Sequence, residues 1–337
     1  MKLKHTLAAI GMVAFGASSA VAGTLDDVKA NGVLKCGIST GVPGFSFTDE
    51  NGMWQGFDIA VCEAIAAAVL GDASKIEYTP LTTKTRFTAL ASGEIDILSR
   101  NTTWTFSRDA DLKFSFTGVN YYDGQGFMVP RSLGVASVKE LDGASICIQA
   151  GTTTELNAAE YFRINGISYE PVPVENNEEA RANYMAGRCD SYTTDASALA
   201  SSRSTFDNPS DHVILPEIIS KEPLGPLVRH GDDQWADIAR WVLNVLIIAD
   251  EKGLTGAQAA KAMESADPEV NRILGLDGDY GAMMGLDNAW AQRALAVHGN
   301  YGEIFDKYIG EQTVVGLARG LNAQWTDGGI LYAPPFR

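Results

Sequence analysis

The chain has 337 residues, a formal net charge of -16 and an apolar fraction of 45%. An acidic surface repels phosphate backbones and anionic headgroups, which argues against a nucleic-acid or lipid-surface partner; its plain reading is solubility. No stretch approaches the roughly 20 uninterrupted apolar residues that a transmembrane helix requires.

The chain opens with Lys2 and Lys4, a short apolar run over 6–15, and the small residues Ala20 and Ala22. Positive residues, a short apolar run and a small-residue cleavage site are the layout of a secretory signal peptide. The segment 1–22 is therefore predicted to be removed, with a mature chain from Gly23 exported to the periplasm. Losing Lys2 and Lys4 makes the mature charge about two units more negative.

The run 32–38 is apolar and bounded by Gly32 and Gly37, and reads as a buried strand. Asp58 is placed as the N-cap of a helix, with Ile59, Cys62, Ile65, Ala66 and Val69 on one face and Gly71 as its stop. A second helix over 86–92 ends at Gly93 and leads into a strand over 95–98. Alternating strands and helices imply a parallel sheet flanked by helices.

The same grammar restarts downstream. A strand over 144–148 precedes a helix opened by Thr152 and Glu155 at capping-box spacing, and a helix over 178–186 precedes a strand over 189–192. Two such units predict two lobes. The segment 120–124 reads as a turn-prone crossing and the proline-marked segment 215–227 as the return. A helix over 235–249 follows, then a tail with helical stretches near 256–264 and 290–297 to which no chemistry is assigned. The division expected is a signal at 1–22, the first part of lobe one at 23–120, lobe two at 121–217, and at 218–337 the return to lobe one plus a C-terminal helical extension.

Cys36, Cys62, Cys147 and Cys189 form no C-x-x-C pair, so zinc-ribbon and thioredoxin readings lose their main support. An even count in an oxidising compartment points to two disulfides. Of three formal pairings, Cys36 to Cys62 and Cys147 to Cys189 keep each bond within one lobe; four buried free thiols are the alternative. P-loop, dinucleotide, nucleophile-elbow and zincin motifs are absent, and His212, His230 and His298 read as isolated surface residues. No cofactor, metal site or catalytic residue is expected.

Polar residues remain at the carboxyl ends of the strands, where open α/β sheets bind ligands. They are Ser99 to Arg108 after the strand ending at Leu98, Gln149 to Thr153 in the second unit, and Thr193 to Asp195. Taken alone, Arg108 beside Asp109 and Asp111 reads as a surface ion pair, and Asp195 as a helix cap.

Together these residues carry a resemblance. Gly56-Phe57-Asp58, Ser92-Gly93-Glu94-Ile95-Asp96 followed by Thr103, Thr105 and Arg108, the Gly151-Thr152-Thr153 turn, and Gly187-Arg188-Cys189-Asp190 followed by Asp195 resemble the polar-amino-acid-binding proteins of ABC importers. They stand in the family's order and spacing over about 28–249. The tail and the wording around 99–105 look most like the general L-amino-acid-binding (Aap/Bzt-type) subgroup.

The resemblance implies a type II periplasmic-binding-protein fold, two α/β lobes joined by a two-segment hinge. It implies a monomer that closes on one free L-amino acid and docks on an inner-membrane ABC permease. Arg108 would take the α-carboxylate with two prongs, aided by Thr103 and by N–H groups of Thr153 and Thr152 at a helix start. Asp195 would take the α-ammonium, with the Asn101 carbonyl.

Arg100 faces the side chain in relatives and would favour glutamate, aspartate and their amides; a salt bridge to a neighbouring acid is its other reading. Where many relatives have an acidic residue and an aromatic, this chain has Ser39 and Val42, which implies a broader, less cation-selective pocket. The alternative function is a periplasmic enzyme on the same fold, a dehydratase of cyclic amino-acid precursors. It lacks a histidine in the three loops.

Overall fold

The computed structural model describes residues 23–337, so the signal-peptide expectation at 1–22 lies outside the described residues. Two five-stranded sheets are built to one plan. The first runs Ile76–Leu81, Leu34–Ser39, Ile97–Leu98, Leu227–Arg229, Phe114–Phe116. The second runs Tyr169–Val174, Ala144–Gln149, Ser191–Asp195, Gln125–Pro130, His212–Ile214. In each, the first three strands are parallel and the last two join antiparallel. Both outer parallel strands carry proline, Pro80 in one and Pro171 and Pro173 in the other. An edge is where a strand tolerates the missing N–H.

The chain passes between sheets on two short strands, Tyr121–Asp123 and Glu222–Leu224, which pair antiparallel with Glu222 opposite Asp123. The sequence reads the first crossing as a turn; the structure makes it a strand, because its backbone finds a partner about a hundred residues away. Gly225, just beyond, is pressed against the other crossing. A Cβ there would lie 1.9 Å from the Gly118 carbonyl oxygen.

Apolar faces of both sheets are covered. In lobe two, Phe127, Ile146 and Ile148 pack against Ala158 and Phe162 on one face, and Met128, Cys147 and Tyr192 against Tyr184 and Leu199 on the other. In lobe one, the helix Phe57–Leu70 buries residues on every side. Such a helix needs cover all round. The sheet supplies one side; the helices Asp233–Glu251, Trp290–His298 and Tyr301–Tyr308 supply the rest. The tail is therefore core material of lobe one.

It also grips the hinge. The Tyr301 hydroxyl donates to the Asn120 carbonyl at 2.8 Å, and the Asn322 side chain accepts from the Tyr122 N–H at 2.7 Å and donates to its carbonyl at 3.1 Å.

Two local expectations need correction. The helix expected to start at Asp58 begins at Phe57 with Gly56 as its N-cap at φ 133°, so Asp58 lies inside the first turn. A Cβ at position 56 would sit 2.2 Å from the Phe45 carbonyl oxygen, so the close passage of the 39–46 loop demands glycine. The histidines are not all at the surface. His230 is exposed, but His212 bonds the Tyr184 hydroxyl at 2.8 Å and half-buried His298 contacts Glu63.

No helix among the described residues is long and apolar enough to cross a membrane. The cysteines pair as Cys36–Cys62, with Cα atoms 6.4 Å apart, and Cys147–Cys189, 5.5 Å apart, each bond tying a lobe's sheet to its own flank. The sequence separations are 26 and 42. Loop-closure entropy then predicts that reduction of either bond costs about 3–4 kcal/mol. Urea unfolding with and without reductant should show both losses.

Candidate functional site

Parallel strands of both sheets end on one cleft between the lobes. It is lined from lobe one by Ser39, Val42, Thr83, Arg86, Arg100, Asn101 and Thr103, and from lobe two by Gln149, Thr152, Thr153, Thr154, Asn177, Thr194, Asp195 and Ala198. Eight of the nine binding residues named from the sequence thus line it.

Arg108 stands behind that wall. It is buried, its Nη1 donates to the Thr103 carbonyl at 2.8 Å, and its guanidinium lies over the Phe87 ring. It forms no ion pair among the described residues and is buried, so the surface reading does not describe it.

The lobes touch around the cleft. Thr83 Oγ1 donates to the Ala150 carbonyl at 2.8 Å, Lys84 pairs with Glu175 at 2.6 Å, and Ser201 Oγ donates to the Pro43 carbonyl at 2.5 Å. At the back of the cleft stands Glu222, which the sequence reading missed. Its Oε2 accepts from Thr103 Oγ1 at 2.5 Å and Thr153 Oγ1 at 3.0 Å; its Oε1 accepts from Asn157 Nδ2 and Ser220 Oγ, both at 2.7 Å. The two threonine hydroxyls are therefore committed.

Their backbone N–H groups are what the cleft is offered. Thr153 opens the helix Thr153–Asn165, whose first-turn donors have no intrahelical acceptor. Thr103 meets the hinge through the Trp104 N–H and the Thr102 carbonyl, which leaves its own N–H. Thr152 caps that helix, accepting from the Glu155 N–H at 3.1 Å. The box is only half formed, because Glu155 accepts from Gly151 rather than from Thr152.

Asp195 ends its strand at the N-cap position of the helix Ala196–Arg203 but makes no capping bond. Asp123, from the hinge, takes that task, accepting from the Ser197 N–H at 3.3 and 3.4 Å. The Asp195 carboxylate is left to the cleft. Burial, then the charges of Asp123 and Glu222, push its carboxyl well above the usual range, while Arg108 and Arg86 pull it down. A buried anion in that position invites a cation.

The opposite wall is cationic. Arg86 and Arg100 are 2% and 5% exposed, and neither belongs to an ion pair among the described residues. Burial is the chief force lowering both, Arg100 to about 10. Buried atoms without a hydrogen-bond partner cluster here: Ser39 Oγ, Arg86 Nε, Arg100 Nε, and both side-chain polar atoms of Asn101, whose φ is 34°. Such a concentration of costly, unpaired polarity marks a site made for a polar ligand.

Arg86 also escaped the sequence reading. The strand Ile76–Leu81 was not read, so the polar run Thr82 to Arg86 at its carboxyl end was not placed beside the others.

Fold and cleft together define a bilobal solute receptor. The chain belongs to the bacterial extracellular solute-binding proteins, family 3, whose model matches residues 34–253. It is 59% identical to the glutamate/glutamine/aspartate/asparagine-binding protein of Rhodobacter capsulatus and 55% identical to the general L-amino acid-binding periplasmic protein of Rhizobium johnstonii, in both cases across 100% of each chain. It is also similar to a solved ABC-transporter periplasmic binding protein from Brucella ovis with glutathione bound. That match has 53% identity and a TM-score of 0.91, and covers 94% of this chain and 100% of that one.

Asp58 gives the site a pH signature. Burial pushes its carboxyl up to about 7, against hydrogen bonds from Asn101 and Asn120 and the charge of Arg100. Below its unfolded value near 3.8 both states are protonated. Between that value and 7 the folded state holds the extra proton, so rising pH erodes stability across this window. Asp58→Asn should therefore match the parent near pH 4 and be more stable by about 1–3 kcal/mol at pH 8. Denaturant unfolding at the two pH values checks this.

Proposed function

We propose that the protein captures free L-amino acids outside the cytoplasm, as a monomer whose signal segment has been removed, and hands them to the inner-membrane permease of an ABC importer. One observation carries the reading. A buried cleft between two lobes presents an uncapped Asp195 and helix-start N–H groups from lobe two, and arginines from lobe one. This matches the ammonium and carboxylate that every L-amino acid carries.

In the proposed complex Asp195 and the Asn101 carbonyl hold the α-ammonium. The N–H groups of Thr153 and Thr103 hold the α-carboxylate, with Arg108 adding its charge from behind Thr103. Arg100 meets the side chain, and Ser39 and Val42 bound it. Glutamate, glutamine, aspartate and asparagine are within the range, as the relatives' ligands support. The family consists of binding proteins, and no histidine lines the cleft, so the dehydratase alternative is set aside.

A ligand that contacts both lobes favours the closed state, and closure presents the docking surface to the permease.

A calorimetric screen of the common L-amino acids should show binding and ligand-dependent thermal stabilisation. No binding to any of them ends this reading. Asp195→Asn should weaken glutamate, glutamine, aspartate and asparagine alike, by about 30-fold or more, since it removes the partner of a buried charge common to all four.

A second ligand class is favoured by the Brucella ovis relative. The γ-glutamyl end of glutathione carries the same free α-ammonium and α-carboxylate as glutamate. Competition of glutathione against bound glutamate decides it: displacement at comparable concentration supports the class, and none at a hundredfold excess excludes it.

A further inference from the structure

Arg100 is one of two arginines on the side-chain wall of the cleft. Arg86, at the start of the helix Arg86–Ser92, is the other, and it is almost fully buried. Its Nη1 donates to Thr102 Oγ1 at 3.2 Å. Its Nε is buried without a partner, and its Nη2 makes no hydrogen bond among the described residues. The Nε and Nη2 edge of a guanidinium is a two-pronged carboxylate donor. Arg100 makes no guanidinium hydrogen bond among the described residues, and its Nε is likewise buried and unpartnered.

Charge balance gives this edge an occupant. Arg86, Arg100 and Arg108 lie close enough to disfavour one another's charge. Glu222 acts on Arg108, Asp195 is the carboxylate available for an α-ammonium, and Asp58, the acid acting most strongly on Arg100, keeps only about half its charge near pH 7 because burial pushes its carboxyl up to about 7. Once an amino acid's own ammonium and carboxylate are paired, the wall keeps unpaired positive charge in a place that excludes water. Guanidiniums buried this way stay costly until an anion meets them.

We propose that Arg86 and Arg100 together form a subsite for a second carboxylate on the ligand, separate from the α-carboxylate. This rests on the amino-acid-binding reading above and makes Arg86 a specificity-determining residue. Dicarboxylic L-amino acids are then the preferred ligands, their amides rank below them, and cationic side chains are refused.

The test compares L-glutamate, L-glutamine and L-glutamate γ-methyl ester by calorimetry on the full mature protein and on Arg86→Gln. On the parent protein, glutamate should bind at least about 30-fold more tightly than the ester, which keeps the shape and loses the charge. On Arg86→Gln, the glutamate constant should weaken by about 30-fold and the glutamine constant by less than about threefold. The unliganded variant should melt no lower than the parent, because an unpaired buried charge has been removed.

Equal binding of glutamate and ester overturns the subsite, and requires no variant to fold. Equal loss of glutamate and glutamine in Arg86→Gln overturns the role of Arg86 by making it a bracing residue or an α-carboxylate contact. Failure of the parent to bind any of the three defeats the underlying amino-acid reading instead.

Discussion

The geometry of the cleft turns on four hydrogen bonds to one carboxylate. Glu222 sits on a hinge strand yet accepts from Thr103 of lobe one and from Thr153 and Asn157 of lobe two. It therefore fixes the separation of two threonines that line the cleft. A carboxylate accepting several bonds is well satisfied even when buried, so this acid stabilises the closed arrangement without needing a cation. Its neighbour across the hinge, Asp123, caps the helix that Asp195 would otherwise cap. Two hinge acids thus complete the framework, and a third is left free for the ligand.

That division of labour explains the contrast between the walls. The framework groups Thr152, Asp123 and Glu222 are paired, with the Glu155 N–H, the Ser197 N–H and four side-chain donors respectively. On the cleft side, Ser39, Asn101, Arg86 and Arg100 all carry buried unpartnered atoms. Unmet polarity costs stability, and two disulfides and an all-round buried helix offset it from either side. In the proposed complex the ligand satisfies groups that the protein alone leaves unmet, and so favours the closed state.

Much of this was written in local sequence. Glycine-bounded apolar runs located the central strands, and polar clusters at their ends located Arg100, Asn101, Thr103, Thr152, Thr153 and Asp195 in the cleft. What escaped did so for identifiable reasons. The outer strands Ile76–Leu81 and Tyr169–Val174 contain proline and read as loops, and with the first went the run that ends in Arg86. Glu222 carries no local signal, since three of its four donors, Thr103, Thr153 and Asn157, lie far from it in the chain and only the fold assembles them. The position of Arg108 behind Thr103 is a matter of one side-chain layer, below what spacing can resolve. Asp58 was misplaced because Gly56, one residue outside the helix, already meets the need for an unusual backbone angle.

The tail offers the most instructive case, because its signal lay in another segment. Phe57–Leu70 shows apolar residues on all faces, Val61, Ala64 and Ala68 as well as the stripe through Ile59 and Ile65, which a helix on one sheet does not require. That surplus asked for a second covering layer. Trp290–His298 and Tyr301–Tyr308 supply it, beyond the end of the family match at 253 but within the full-length similarity to the two amino-acid-binding relatives. Having packed there, the tail reaches the hinge through Tyr301 and Asn322 and holds the backbone of Asn120 and Tyr122. Lobe one, tail and first hinge strand are thereby joined by direct hydrogen bonds as far as Tyr122, one residue short of Asp123, where the acids that organise the cleft begin.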